Sequence, residues 1–143
     1  MRAVLDTNVV VSALIWGGTP FKLFQAATEG NLALYTSPAL VAELREVLAR
    51  EHLAQRLAQQ HTAIEEAIHL YEEMCISVTP LSIPRTVPND IDDDQVIACA
   101  LAAGAQLIVS GDSDLLVLHP WRGIQILNAT DALQYMKRTL KPI

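Results

Sequence analysis

Eight of the sixteen acidic residues of this 143-residue chain fall in four places: Asp6, Glu43, the run Asp90/Asp92/Asp93/Asp94, and the pair Asp112/Asp114. Carboxylates that converge repel one another and raise one another's pKa values. A fold that gathers these groups therefore needs positive charge between them. Magnesium or manganese supplies it, because hard divalent cations favour oxygen ligands. Mg²⁺ also keeps several waters and takes phosphate oxygens from a substrate. Metal-assisted hydrolysis of a phosphodiester is the natural chemistry, commonly with two ions roughly 3.5–4 Å apart. Singly, each acid has a plainer use: Asp6 suits a cap for the apolar segment from Val9, and Asp92 suits a helix cap. Three consecutive acids at Asp92–Asp94 exceed what capping requires.

The elements around these acids place them on one side of a sheet. Arg2-Ala3-Val4-Leu5 reads as a buried strand that ends on Asp6, and Leu107-Ile108-Val109-Ser110-Gly111 ends on Asp112 and Asp114 in the same manner. In open parallel sheets, ligands collect outside the carboxyl ends of the strands. Between them the pattern predicts a helix over Val9–Trp16 stopped by Gly17-Gly18, a helix from Pro20 to about Gly30, and a strand at Leu32–Tyr35. Ser37-Pro38 starts a helix with an apolar stripe of Leu40, Leu44, Val47 and Leu48, and Glu43 lies at the edge of that stripe. Leu53, Leu57, His61, Ile64, Ile68 and Tyr71 trace one further amphipathic helix, followed by a strand at Cys75–Val78. Thr79–Asn89 holds three prolines and reads as a surface connection.

A helix then opens on Asp92-Asp93-Asp94 and carries Val96, Ile97, Ala100 and Leu101 up to Gly104. At 100° per residue Asp93 falls in the middle of that stripe and Asp94 at its edge, near Leu101. A carboxylate aimed inward at a helix start needs partners. Ile124–Leu127 is the last strand, and Asn128 caps a final helix through Met136. Strands alternating with helices specify a mainly parallel sheet covered on both faces, as a single domain over residues 1–143 without internal repeats.

Composition permits nucleic acid as a partner. The net charge is −6, yet outside the eight clustered acids the balance is +2, so a phosphate backbone can approach once the cluster holds cations. Lys22, Arg45, Arg85, Arg122, Lys137, Arg138 and Lys141 are candidates for phosphate contact, with none singled out. Cys75 and Cys99 form no C-x-x-C pair, and reduced thiols in the cytoplasm are the default. No membrane partner is expected, since the apolar run Val9–Trp16 is too short to span a bilayer and no leader pattern precedes it. His52, His61, His69 and His119 are scattered, without the spacing of a metal face. Trp16 and Trp121 read as packing residues, and Gly17-Gly18 as a turn.

The ordered set of motifs carries a resemblance. Leu-Asp-Thr-Asn-Val-Val-Val-Ser at the start, the helical Glu43, Asp90-Ile-Asp-Asp-Asp before an Ala-Leu helix, and Val-Ser-Gly-Asp-Ser-Asp-Leu-Leu resemble the PIN-domain family over nearly the whole chain. More narrowly they are similar to the VapC-like toxins of toxin–antitoxin modules. The resemblance implies a three-layer α/β/α sandwich and a Mg²⁺- or Mn²⁺-dependent endoribonuclease. It also implies an RNA substrate, a cognate antitoxin and homodimers. By motif position Asp6, Glu43, Asp93 and Asp112 match the family's metal-binding acids, with Asp114 as an auxiliary ligand. The third acid is ambiguous by one residue, and Asp94 is kept as a supporting group. Asn8 and Ser110 match polar positions that orient carboxylates. The implied mechanism is in-line attack of a metal-activated water on phosphorus, with no histidine base. The stretch Leu53–Tyr71 is open to two uses, as a dimer or antitoxin surface or as a helix buried within the chain.

Three rivals are weighed against this. A haloacid-dehalogenase-type phosphatase needs an Asp where Asn8 stands and a lysine before the last acidic motif, and no lysine lies between Lys22 and Lys137. A receiver-like regulatory domain needs an acid after its third strand, where Val78-Thr79-Pro80 has none. A catalytically silent PIN-like domain that binds RNA or a partner is disfavoured by the intact set of acids.

Overall fold

β1 (Arg2–Leu5) occupies the centre of a five-stranded sheet whose other strands are β2 (Ala33–Thr36), β3 (Cys75–Ser77), β4 (Leu107–Val109) and β5 (Gln125–Leu127). The strand order is β3-β2-β1-β4-β5, and every pairing is parallel. The computed structural model describes residues 1–81 and 91–139. The helices are α1 (Thr7–Ile15), α2 (Gly18–Thr28), α3 (Pro38–Leu48), α4 (Glu51–Gln59), α5 (Ile64–Met74), α6 (Ile91–Ala103), α7 (Ser113–Leu116) and α8 (Ala129–Thr139).

Alternation along the strands divides the interior into two cores. Ala3, Leu5, Leu34, Leu107 and Val109 point to one face, where they meet residues of α1 to α5 and of α8. Val4, Ile108 and Ile126 point to the other, beneath Val96, Ile97, Cys99, Ala100 and Ala103 of α6. This is the three-layer α/β/α sandwich implied by the sequence. α3 contributes to both cores, Leu40 to the second and Val41, Leu44, Val47 and Leu48 to the first. From β1 the chain moves outward through β2 and β3, then returns to the opposite side of β1 to form β4 and β5. The strand order therefore reverses between β1 and β4, which opens a crevice at their carboxyl ends.

Several local readings change. The single helix expected over Leu53–Tyr71 is two, α4 and α5, separated at residues 60–63. His61 adopts φ 56°, its amide donates to Ala58 O, and the Thr62 amide donates to Leu57 O at 3.0 Å. That is a Schellman termination with histidine where glycine is usual. Leu53 and Leu57 of one helix and Ile68 and Tyr71 of the other are buried within the chain, while His61 is exposed. Leu101, expected on the buried stripe of α6, is 40% exposed, and the small residues Cys99 and Ala103 face the sheet instead. α6 begins at Ile91, so Asp92 lies in its first turn and not at the cap position. The four-residue α7 was not anticipated. Asp90, Arg85, Lys141 and most of the proline-rich connection lie outside the described residues. Among the described residues no single helix is long and apolar enough to cross a membrane.

Candidate metal centre at the sheet edge

Leu5 pairs with Val109, so the residues that follow them leave the sheet side by side. The Asp6 amide donates to Val109 O at 2.9 Å and extends the ladder by one residue. The Asp6 side chain then serves two neighbours. Oδ1 accepts the Thr7 amide at 2.8 Å and caps α1, while Oδ2 accepts the Ser110 hydroxyl at 2.8 Å. The cap reading and the site reading of Asp6 therefore describe the same residue. Asp6 is 5% exposed and Ser110 fully buried.

Ser110 links this strand end to the next acid. Its Oγ accepts the Asp112 amide at 2.9 Å while donating to Asp6. Asp112 in turn caps α7, its Oδ1 accepting the Asp114 amide at 2.9 Å. Asp93 arrives from the opposite layer, in the first turn of α6, and is 4% exposed. One carboxylate oxygen from each of Asp6, Asp93 and Asp112 comes within 4.8 Å of the other two. Oxygens on opposite sides of an ion bound at about 2.1 Å stand about 4.2 Å apart, so the spacing fits one small divalent cation. The donor set consists of carboxylate oxygens alone, which suits magnesium or manganese over softer metals.

Among the described residues the other predicted site residues are not part of this group of three. Asp94, next to Asp93, has no exposed surface, and Asp114 is half-buried on α7. Glu43 is half-buried on α3, five residues from its start. Asn8 is exposed in the first turn of α1, and the Thr7 amide and the Ser110 hydroxyl both donate to Asp6. Two hydroxyl residues at this edge are buried, Thr36 and Ser37, 3% and 1% exposed; Thr36 carries no signal in the sequence, and for Ser37 the sequence indicates the cap but not the burial. The Ser37 hydroxyl accepts the Leu40 amide at 3.3 Å as the cap of α3. Their place beside Asp6 follows from the β1–β2 register, which sequence periodicity does not supply.

Several groups are committed elsewhere. Arg45 forms an ion pair with Glu65 at 2.8 Å. The hydrogen bond and charge of Glu65 raise the Arg45 pKa, and those of Arg45 lower the Glu65 pKa. Arg45 is thus less available to a phosphate than its charge suggests. Trp16 is not a packing residue: it is 59% exposed, with the Arg56 guanidinium 4.6 Å above its ring. His119 accepts the Ile126 amide through Nδ1 at 2.9 Å, and His69 lies 3.0 Å from Glu73. No histidine belongs to the three-carboxylate group.

Comparison with known proteins agrees with the fold. No curated protein sequence matches the chain. A solved chain from the VapBC2 complex of Rickettsia felis, bound to a DNA fragment from their promoter, has a similar fold with a TM-score of 0.59. At 14% identity the likeness covers 90% of this chain and 98% of that one. The family model described as PIN domain matches residues 2–114, a span holding β1 through the acids of α7, and the chain belongs to the PIN-domain family.

Proposed function

We propose that the chain is a Mg²⁺- or Mn²⁺-dependent endoribonuclease that hydrolyses RNA phosphodiester bonds, as the toxin of a type II toxin–antitoxin pair. The observation that carries this reading is the approach of Asp6, Asp93 and Asp112 oxygens within 4.8 Å, at the crevice where the strand order reverses. These three would hold the cation, with Glu43 from α3 and Asp114 from α7 as further ligands and Asp94 in support. Bound there, the metal supplies Lewis acidity toward a phosphoryl oxygen and toward water.

The chain's own residues set the geometry. The Thr7 amide and the Ser110 hydroxyl fix both oxygens of Asp6, and Ser110 fixes the backbone of Asp112. The ligands are therefore oriented before substrate arrives. Asn8, exposed in the first turn of α1, would help to orient the carboxylates with its side-chain amide. VapBC2 of Rickettsia felis is bound to a DNA fragment from their promoter, and the chain would likewise assemble with a cognate antitoxin; a homodimer and a cytoplasmic location belong to the same reading. Incubation with a panel of RNAs and millimolar Mn²⁺, with and without EDTA, tests the activity. Cleavage is expected only with metal, and a panel left intact in Mn²⁺ counts against the reading. A short open reading frame for a DNA-binding protein beside the gene is the corresponding expectation for the partner.

A further inference from the structure

Asn8, Ser12 and Trp16 follow one another at four-residue intervals along α1, spread over about 80° of the helix surface. Asn8 and Trp16 are exposed and Ser12 is half-buried, while the valines of the helix, Ala13 and Ile15 are buried. The Trp16 amide donates to Ser12 O at 2.9 Å, so the residue keeps its helical position. α1 starts directly after Asp6, and Trp16 stands ten residues beyond that acid, about 15 Å along the axis. One helix therefore presents a strip that leads from the metal centre to an exposed indole.

The indole has a cation on it. The Arg56 guanidinium of α4 lies 4.6 Å above its ring. The Gln60 side-chain amide donates to Ile15 O at 2.8 Å, which ties the end of α4 to the end of α1. With 59% of its surface exposed beside that cation, the ring is open to a second planar group. Among the described residues no ion pair engages Arg56. The segments that carry the pair are positive as well. Residues 7–28 contain no Asp or Glu, and residues 50–63 contain one, Glu51, against the exposed Lys22, Arg50 and Arg56. This stands out in a chain of net charge −6. Proteins that hold single strands without reading sequence combine the same two features, a ring on which bases stack and cations that meet the phosphates.

We propose that the Trp16–Arg56 pair is a stacking platform for one base of a single-stranded RNA, a few nucleotides from the cut and reached along the exposed strip of α1. The proposal rests on the nuclease reading for its substrate and adds a second point of contact to it. Stacked nucleotides rise about 3.4 Å each and extended ones more, so about five nucleotides or fewer span the distance from the metal centre. The platform tolerates any sequence, because every base has a π-face. Its effect falls on the binding of RNA long enough to reach it and not on the chemical step.

Binding of a labelled single-stranded RNA to the full chain is measured by fluorescence anisotropy in EDTA, apart from any metal-dependent cleavage. Trp16→Ala is expected to bind about five- to hundredfold more weakly than the wild type, and Trp16→Phe to recover most of the loss. Arg56→Ala should reduce the slope of log K against log salt by about 0.7. In a Trp121→Phe background Trp16 is the only tryptophan, and single-stranded RNA should quench its emission more than a duplex of the same sequence. Equal binding by wild type and Trp16→Ala, or equal quenching by single strand and duplex, overturns the proposal whether or not RNA is cut. Unchanged RNA binding with lost self-association in Trp16→Ala gives the surface to a second copy of the chain and overturns it too. Stacking on Trp16 in a protein that cuts no RNA in Mn²⁺ keeps the platform and removes the nuclease reading instead. Where RNA is cut, Trp16→Ala should raise KM about five- to hundredfold at unchanged kcat. A fall in kcat at unchanged KM would place Trp16 in the chemical step and overturn the platform.

Discussion

The Ser110 hydroxyl donates to Asp6 Oδ2 at 2.8 Å from a fully buried position, joining the ends of two adjacent parallel strands through their side chains. The same oxygen accepts the Asp112 amide, so two acids of the trio are oriented by one serine. Ser110→Ala removes both bonds at once. A loss of about 1–3 kcal/mol in stability is expected from urea unfolding. Metal affinity should fall as well, by about 10–100-fold, as for other residues that orient metal ligands. A variant as stable as the wild type with unchanged Mn²⁺ binding would show that the serine orients nothing.

Metal should stabilise the native state. At a concentration 100 times its Kd, a cation that binds only the folded chain adds about 2.7 kcal/mol. For a domain of this length that corresponds to a rise in Tm of about 5–10 °C. Asp93→Asn should abolish the rise, whereas Asp94→Asn should only weaken it. The reverse pattern in a thermal scan would move the site by one residue along α6. No rise in the wild type at millimolar Mn²⁺ would speak against a preformed centre.

Much of this centre is legible in the sequence because strand ends and helix caps are local. Apolar runs that stop on Asp6 and Ser110 announce the two strand ends, and Ser37-Pro38 announces the start of α3. The 100° projection selects Asp93, and that residue joins the trio. What escapes depends on distant partners. Burial at Thr36 and Ser37 follows from which strands pair, and the exposure of Leu101 from how closely α6 lies on the sheet. The break between α4 and α5 escapes for a different reason. Its left-handed residue is His61, which carries no turn signal, and both helices continue the same apolar spacing across it.

His61→Gly should stabilise the chain, because glycine adopts φ 56° without the steric cost borne by histidine. The expected gain is about 0.5–1 kcal/mol, since the side chain is exposed and little packing is lost. Chemical denaturation measures it directly. A loss of stability would mean that the imidazole contributes more than its backbone strain removes.

The two thiols should be unreactive in the native state. Burial pushes Cys75 up to about 12, although its hydrogen bond with Tyr71 opposes this, and burial also pushes Cys99 up to about 12. Burial likewise raises the Tyr71 hydroxyl well above its usual value. A thiol whose folded pKa is raised contributes stability that is complete below its unfolded value, near 9, and is lost as pH rises towards about 12. Stability should therefore decline above about pH 9. Alkylation at pH 8 should be slow for both cysteines and complete only after unfolding, as read by mass spectrometry. Rapid labelling of either residue in the folded chain would contradict the burial described for it.

The most direct test is cleavage of single-stranded RNA by the wild type and by Asp6→Asn in Mn²⁺, with EDTA as control. If Asp6, Asp93 and Asp112 hold the catalytic cation, the wild type cuts only with metal, and the variant retains its fold but loses nearly all activity. Undiminished cutting by Asp6→Asn, or cutting by the wild type in EDTA, would contradict a nuclease centre at this sheet edge.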